Sequence, residues 1–137
     1  MNTEDQAEFA METKTSELLA MAAVMDAERA LGNDPVDVSA EKRGYDIESR
    51  DGKSNRLRFI EVKGRVEGAK TVMITRGEIV KGINASESFI LAIVPISDQK
   101  PGTPVYVRHP FEREPDFNTA TVAYYIEPLI AKGRSPS

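Results

Sequence analysis

The sequence contains no cysteine and a single histidine, His109. The absence of cysteine excludes disulfide bonds and zinc sites built on thiolates, and it fits a reducing, cytoplasmic location. One histidine cannot form a multi-histidine metal site, so a metal ion would need mainly oxygen ligands, which favours Mg²⁺, Mn²⁺ or Ca²⁺. The sequence also has no apolar run of membrane-spanning length and no secretory signal, so we expect no membrane partner.

The length of 137 residues predicts a single domain. Hydrophobic residues make up 40% of the chain, which is enough to form a core. We place the domain at residues 15–131, between a polar, acidic segment at 1–14 and a short tail at 132–137. Both terminal segments are expected to be flexible.

Charge is distributed unevenly along the chain, whose formal net charge is −4. Residues 1–41 hold 2 basic and 10 acidic side chains, whereas residues 42–81 hold 11 basic and 6 acidic ones. The positive middle segment could line a cleft that contacts the phosphate groups of a nucleic acid. The alternative is a solvated hairpin with a basic outer face.

The order of the predicted elements indicates an α/β fold. Helical spacing of apolar residues predicts a first helix at 16–31, and Thr75 with Glu78 has the form of a capping box that opens a second helix. The apolar run 89–94 is typical of a central strand buried on both faces. Further strands are predicted at 44–49, 57–63, 71–74 and 104–108, and 121–126 is either a strand or the start of a helix. Helices could then cover both faces of the sheet.

Strand geometry is expected to bring three charged residues together. Alternate residues of a strand share a face, so Glu61 and Lys63 lie on the same side of the second predicted strand. If Tyr45 and Ile47 of the first strand match the apolar face of the second, Asp46 falls on the side of Glu61 and Lys63. Two carboxylates and one ammonium group would then converge on one surface.

Such an arrangement suits the metal-dependent hydrolysis of a phosphodiester. Two adjacent carboxylates repel each other, and a divalent cation such as Mg²⁺ or Mn²⁺ relieves that repulsion. The carbonyl of Val62 could add an oxygen ligand to Asp46 and Glu61, while water and substrate phosphate supply the rest. Lys63 would orient or help deprotonate the attacking water and offset charge on the scissile phosphate.

Two segments carry a resemblance to known families: Gly44-Tyr45-Asp46-Ile47 and Ile60-Glu61-Val62-Lys63-Gly64. Together they resemble the D…ExK signature of the PD-(D/E)xK nuclease superfamily. Over residues 18–95 the chain is similar to the family named after the C-terminal domain of the plant protein NO VEIN, which is often appended to helicase-like proteins. This wider resemblance includes Ala27-Glu28-Arg29, Gly32 and the Thr75-x-x-Glu78 pattern.

The resemblance implies a restriction-endonuclease-like fold, an α/β/α sandwich with a central mixed sheet. It also implies that Asp46 and Glu61 are metal ligands and that Lys63 is the catalytic lysine. In the superfamily a glutamate on an upstream helix often joins the metal site, and Glu28 stands at that place in this sequence.

Each of these residues also has an interpretation without catalysis. Glu61 and Lys63 could form a plain ion pair on a half-exposed strand, and Asp46 could be an aspartate at a hairpin edge. A glutamate on a surface helix would explain Glu28, and helix capping would explain Glu78 better than acid catalysis does. Arg29, Arg65 and Arg76 are candidates for phosphate contacts, or else solvated charges.

The sequence therefore leaves three hypotheses about function. The first is a metal-dependent nuclease that hydrolyses DNA phosphodiesters, acting as a module of a helicase-like or defence protein. The second is a non-catalytic module that keeps the nuclease fold and binds nucleic acid or protein. The third is a structural domain whose charges form an internal salt-bridge network. Because the domain is small and acidic overall, gripping a duplex could require a homodimer or a larger helicase-containing parent protein.

Overall fold

The structure, a computed structural model, describes residues 3–137, with side chains described from Thr13 onward. In chain order the elements are α1 (Thr3–Ala30), β1 (Asp34–Asp37), a 3₁₀ turn (Ser39–Glu41), β2 (Ile47–Arg50), β3 (Leu57–Val66), β4 (Thr71–Thr75), α2 (Arg76–Asn84), β5 (Phe89–Ser97), β6 (Lys100–Pro101), β7 (Val105–Arg108), β8 (Thr121–Tyr125) and α3 (Ile126–Ala131). The α/β class predicted from the sequence is confirmed. Within residues 3–137 no helix is both long and apolar enough to cross a membrane.

A mixed sheet of six strands forms the centre of the molecule. Its strand order is β1-β2-β3-β5-β6, and β7 also pairs with β5. The β3–β5 pair is parallel, and the other pairs are antiparallel. Strands β4 and β8 form a separate antiparallel ribbon. The run 89–94 is buried throughout, as expected for a central strand covered on both faces.

Helices pack on both faces of this sheet and divide its apolar side chains into two clusters. Val24 of α1 lies in the cluster that contains Ile60 and Ile90. Ile79 of α2 lies in the cluster that contains Leu91, the neighbour of Ile90 on β5. Alternate residues of the central strands therefore face different helices, as the pleat requires. Any side chain on β3 belongs either to the α1 face or to the α2 face.

Two boundaries near the N-terminus differ from the predicted ones. Helix α1 begins at Thr3 rather than at residue 16, because the apolar spacing that predicts this helix begins only at Leu18. The segment 1–14 is thus helical from Thr3, and residues 1 and 2 lie outside the described residues. The flexibility expected of the segment 1–14 stays a prediction. Strand β1 was not predicted, because Asn33-Asp34-Pro35 has turn chemistry. Proline is tolerated there because β1 is an edge strand.

The tail 132–137, predicted to be flexible, packs against the sheet. Tyr106 and Arg134 exchange two backbone hydrogen bonds of 2.7 and 2.9 Å. The main-chain oxygen of Ser137 accepts hydrogen bonds from Arg58 at 2.9 Å and from Arg108 at 3.1 Å. Composition alone cannot reveal such partners, because they are distant in the sequence.

Candidate metal centre

Strand β3 presents Glu61 and Lys63 to the α2 face of the sheet. Ile60 and Val62 belong to the cluster under α1, so the alternate residues Phe59, Glu61 and Lys63 face the opposite way. Glu61 is only 3% exposed, and the side chain of Lys63 is 21% exposed. The prediction that Glu61 and Lys63 share one face is confirmed. A carboxyl group this deeply buried is costly unless neighbouring groups compensate it.

Asp46 reaches the same region through an irregularity at the start of β2. In the β2–β3 ladder Ile47 lies opposite Ile60, yet the Asp46 N–H also donates to the Ile60 carbonyl, at 2.9 Å. Asp46 and Ile47 thus both lie opposite Ile60, and two residues opposite one is the arrangement of a β-bulge. The Asp46 carboxylate accepts a hydrogen bond of 2.9 Å from the Val62 N–H and is close enough to Glu61 to affect its pKa.

The same bulge corrects the predicted orientation of Tyr45. Regular alternation would place Tyr45 with Ile47 on the α1 face, but Tyr45 lies in the α2-face cluster. Its ring lies 4.7 Å from that of Phe59, and its hydroxyl donates to Glu48 at 3.0 Å. Asp46 is therefore placed by the bulge and its bond to β3, not by the strand alternation from which its position was predicted.

Glu78 of α2 is a further member of the cluster. Its Oε1 lies 3.1 Å from Lys63 Nζ, whereas Glu61 Oε1 lies 3.5 Å from the same nitrogen. The predicted capping box is confirmed, because Glu78 accepts from the Thr75 N–H and donates its own N–H to the Thr75 hydroxyl. Capping and a place in the cluster are therefore compatible, because one carboxylate at the first turn of α2 caps the helix and also contacts Lys63.

The charges of this cluster are strongly coupled. Burial, together with the nearby Asp46 and Glu78 carboxylates, raises the pKa of Glu61 from 4.5 to about 11. Burial alone would raise the pKa of Glu78 and lower that of Lys63, but the contacts of these two residues with each other and with Glu61 outweigh burial. The pKa of Glu78 is therefore lowered, and that of Lys63 is raised. At neutral pH Glu61 therefore holds a proton that it shares in a hydrogen bond with the ionised Glu78, and Lys63 is charged.

Gly44 allows the loop before Asp46 to approach α2. Its φ is +89°, a conformation that favours glycine. A Cβ at this position would lie 3.0 Å from the Cβ of Lys81 and 3.1 Å from the carbonyl oxygen of Gly77. The glycine thus serves both the backbone conformation and the close packing that brings Asp46 to the site.

The donor set fits a hard divalent cation such as Mg²⁺ or Mn²⁺. All candidate ligands are oxygens, and the buried Glu61 beside Asp46 is where positive charge would relieve repulsion. Pairing with β2 ends at Ile60, and the Val62 N–H points to Asp46, so the Val62 carbonyl faces the same edge. Among the described residues no three Asp, Glu, His or Cys side chains are arranged to hold a metal ion. Backbone, water and substrate would therefore complete the shell.

Glu28 is not brought to this site. It is fully buried and faces Arg58, which donates to both carboxylate oxygens at 2.8 and 3.0 Å. Tyr106 donates to it at 2.9 Å and Asn33 at 3.2 Å. Burial alone would raise the pKa of Glu28, but the Arg58 contact lowers it below its ordinary value. Because Arg58 shares the α1 face with Ile60, the sheet separates Glu28 from Glu61. The structure therefore does not bring Glu28, predicted as a metal ligand, to the cluster of Asp46 and Glu61.

The three arginines proposed to contact phosphate are dispersed. Arg29 lies on α1, away from the site, and pairs with Asp26 at 3.4 Å. Arg65 follows Lys63 by two residues on β3 and so shares its face. Arg76 opens α2 with its guanidinium 5.7 Å from the centre of the Phe117 ring. Only Arg65 and Arg76 are on elements that carry the acidic cluster.

Comparison with known families agrees with the resemblance seen in the sequence. Residues 16–107 match the family model described as Protein NO VEIN, C-terminal. The chain belongs to this family. The region shared with the NO VEIN C-terminal family includes Asp46, Glu61, Lys63 and Glu78, so it contains the whole acidic cluster. No curated protein and no solved structure matches the chain.

Proposed function

We propose that this chain is a metal-dependent nuclease domain that hydrolyses DNA phosphodiesters. The observation that carries the proposal is the buried Glu61 carboxyl, with Lys63 beside it on the α2 face of β3 and the Asp46 carboxylate nearby at the edge of β3. Burying an acidic group beside two more carboxylates costs stability, and packing alone gives no reason to keep it. A site that recruits a divalent cation gives such a reason.

The roles of the residues follow from their placement. Asp46, Glu61 and the Val62 carbonyl would hold a Mg²⁺ or Mn²⁺ ion at the edge of β3 that β2 leaves unpaired. The bound ion supplies positive charge for the phosphate oxygens and makes an attacking water easier to deprotonate. Lys63, held between Glu61 and Glu78, orients that water and offsets charge on the scissile phosphate.

The arrangement of the elements supports a restriction-endonuclease-like fold for this domain. An antiparallel β2–β3 hairpin carries Asp46 and the Glu61-Val62-Lys63 run, and β3 continues into the sheet beside the parallel strand β5. Helices α1 and α2 pack on opposite faces, as an α/β/α sandwich requires. We further propose that the domain acts within a helicase-like or defence protein or as a homodimer, because it is small and carries a net charge of −4.

Cleavage assays test the proposal directly. The purified chain is incubated with single-stranded, duplex and branched DNA and with RNA, in Mg²⁺, in Mn²⁺ and in EDTA. We expect cleavage of DNA that requires the metal and is lost in Asp46→Asn and Lys63→Met. Lys14→Gln, on the exposed surface of α1, is the matched control and should cleave like the wild type. Cleavage that persists in Asp46→Asn would contradict the assigned site.

One observation favours the alternative of a non-catalytic module. Lys63, Glu78 and the protonated Glu61 already satisfy one another without a metal ion. A domain that only binds nucleic acid or protein could keep this network as part of its fold. Binding of DNA by the wild type without cleavage in either metal would support this alternative.

A further inference from the structure

Lys81 lies beside the acidic cluster but takes no part in it. Its Nζ is 4.4 Å from the centre of the Phe59 ring and 5.3 Å from that of Tyr45. The two rings contact each other at 4.7 Å, so together they form an aromatic shelf under the ammonium group. Aromatic faces attract a cation and leave its N–H donors directed away from the rings.

The charge of Lys81 is available, unlike those of its basic neighbours. Lys63 is paired with Glu61 and Glu78, and Arg43 is paired with two carboxylates, at 2.7 and 3.4 Å. Within residues 13–137, no carboxylate forms an ion pair with Lys81. A half-buried cation without a negative partner is suited to an anion from outside the chain.

The position of Lys81 relative to the cluster is set by two regular elements. Glu78 and Lys81 are three residues apart on α2, so they lie on the same side of the helix. Glu78 contacts Lys63 while Lys81 contacts Phe59, so this side of α2 follows β3 past Glu61. Phe59 and Glu61 are one strand repeat apart, about 7 Å. Packing of Gly44 against the Lys81 stem fixes the lysine next to the Asp46 loop.

We propose that Lys81 binds a backbone phosphate of the nucleic acid, next to the phosphate that would be cleaved at Asp46 and Glu61. This inference rests on the proposed function and adds a substrate contact to it. The aromatic shelf holds the ammonium group in place before the nucleic acid arrives, so little side-chain freedom is lost on binding. The contact is made to phosphate, so it contributes affinity without sequence preference.

Binding measurements can separate this role from a structural one. Fluorescence anisotropy with a labelled DNA duplex of about 20 base pairs is recorded between about 50 and 200 mM KCl, with Ca²⁺ present and DNA integrity checked on a gel. We expect Lys81→Gln to weaken binding by roughly 3- to 10-fold and to reduce the slope of log K against log salt by about one. Lys81→Arg should restore both quantities, and Lys14→Gln should change neither.

The outcomes distinguish this inference from the proposed function. If the wild type cleaves DNA but Lys81→Gln binds with unchanged affinity and salt slope, the Lys81 contact is wrong and the nuclease proposal stands. If the wild type neither binds nor cleaves nucleic acid, both proposals fail. If Lys81→Gln loses affinity only together with a large fall in its unfolding temperature and Lys81→Arg gives no rescue, the role of Lys81 is structural, which also overturns the inference.

Discussion

A single buried proton dominates the electrostatics of the candidate site. Glu61 is 3% exposed, and its neighbours Asp46 and Glu78 are also acidic, so ionising all three beside the single positive charge of Lys63 is unfavourable. If the site binds metal as proposed, it has two ways to balance its charge: it keeps a proton on Glu61, or it binds a divalent cation and releases that proton. Metal affinity should accordingly increase with pH.

The proton on Glu61 should make stability depend on pH when metal is absent. Its pKa of about 11 in the folded chain exceeds the ordinary 4.5, so between these values folding retains a proton that unfolding releases. Stability therefore falls as pH rises, by at most about 1.4 kcal/mol per pH unit for this group. The lowered pKa of Glu78 means that its contribution to stability is lost only on acidification. The raised pKa of Lys63 means that its contribution to stability is lost only above about pH 10.5.

Urea unfolding of the wild type and Glu61→Gln in EDTA, between about pH 6 and 9, measures this dependence. The difference in unfolding free energy should grow with pH in favour of Glu61→Gln. A difference that is constant across the range would mean that Glu61 is ionised without metal.

Glu78 caps α2 and contacts Lys63, and substitution can separate the effects of these two interactions. Glutamine at this position can still accept the Thr75 N–H bond, so Glu78→Gln should keep the capping box, whereas Glu78→Ala should lose about 0.5–2 kcal/mol of stability. Both variants remove the charge that holds Lys63, so single-turnover cleavage should slow by roughly 10- to 100-fold in each. Full activity of a stable Glu78→Gln would show that Glu78 only caps α2.

At the scale of elements, the close approach of α2 to the loop before β2 places Asp46. Gly44→Ala should destabilise the chain by about 1–2 kcal/mol through its positive φ, and more through the contact with Gly77. It should also weaken Mn²⁺ binding, because the Asp46 loop must move. Gly68→Ala is the matched control: its φ is also +89°, but no atom lies within 4 Å of its added Cβ. Thermal unfolding and calorimetry of both variants check this, and equal Mn²⁺ affinities would contradict it.

Elements with a strong local signal could be predicted from the sequence. The apolar run of β5 and the Thr75–Glu78 capping box define their elements through neighbouring residues alone. The shared face of Glu61 and Lys63 follows from the pleat of β3. The orientation of Tyr45 could not be predicted, because a bulge at Asp46 changes the alternation and leaves no distinctive residue pattern.

At the scale of the whole molecule, the two faces of the sheet carry two separate groups of buried charge. Under α1, Glu28 is fully paired with Arg58 and Tyr106, and this group joins α1, β3 and β7. Under α2, Glu61 has fewer compensating groups. The sequence suggests both Glu28 and Glu61 as candidate metal ligands, but only the packing of α1 shows that the two carboxyl groups lie on opposite faces of the sheet.

The buried group of Glu28, Arg58 and Tyr106 should contribute to stability but not to metal affinity. Glu28→Ala leaves a buried guanidinium without its partner and should cost about 3–5 kcal/mol. Glu17→Ala, at an exposed position on the same helix, should change stability by less than about 0.5 kcal/mol. Chemical unfolding measures both effects. A loss of less than about 1 kcal/mol for Glu28→Ala would show that the pair is not a structural link between α1 and the sheet.

Isothermal titration of Mn²⁺ tests the central claim most directly, because it requires neither the right substrate nor the right partner. The wild type should bind one ion per chain, and Asp46→Asn and Glu61→Gln should each weaken binding at least about tenfold. Glu28→Gln, with the carboxylate on the opposite face removed, should bind like the wild type. Absence of binding by the wild type, or unchanged affinity in Asp46→Asn, would contradict a metal centre at this edge of β3.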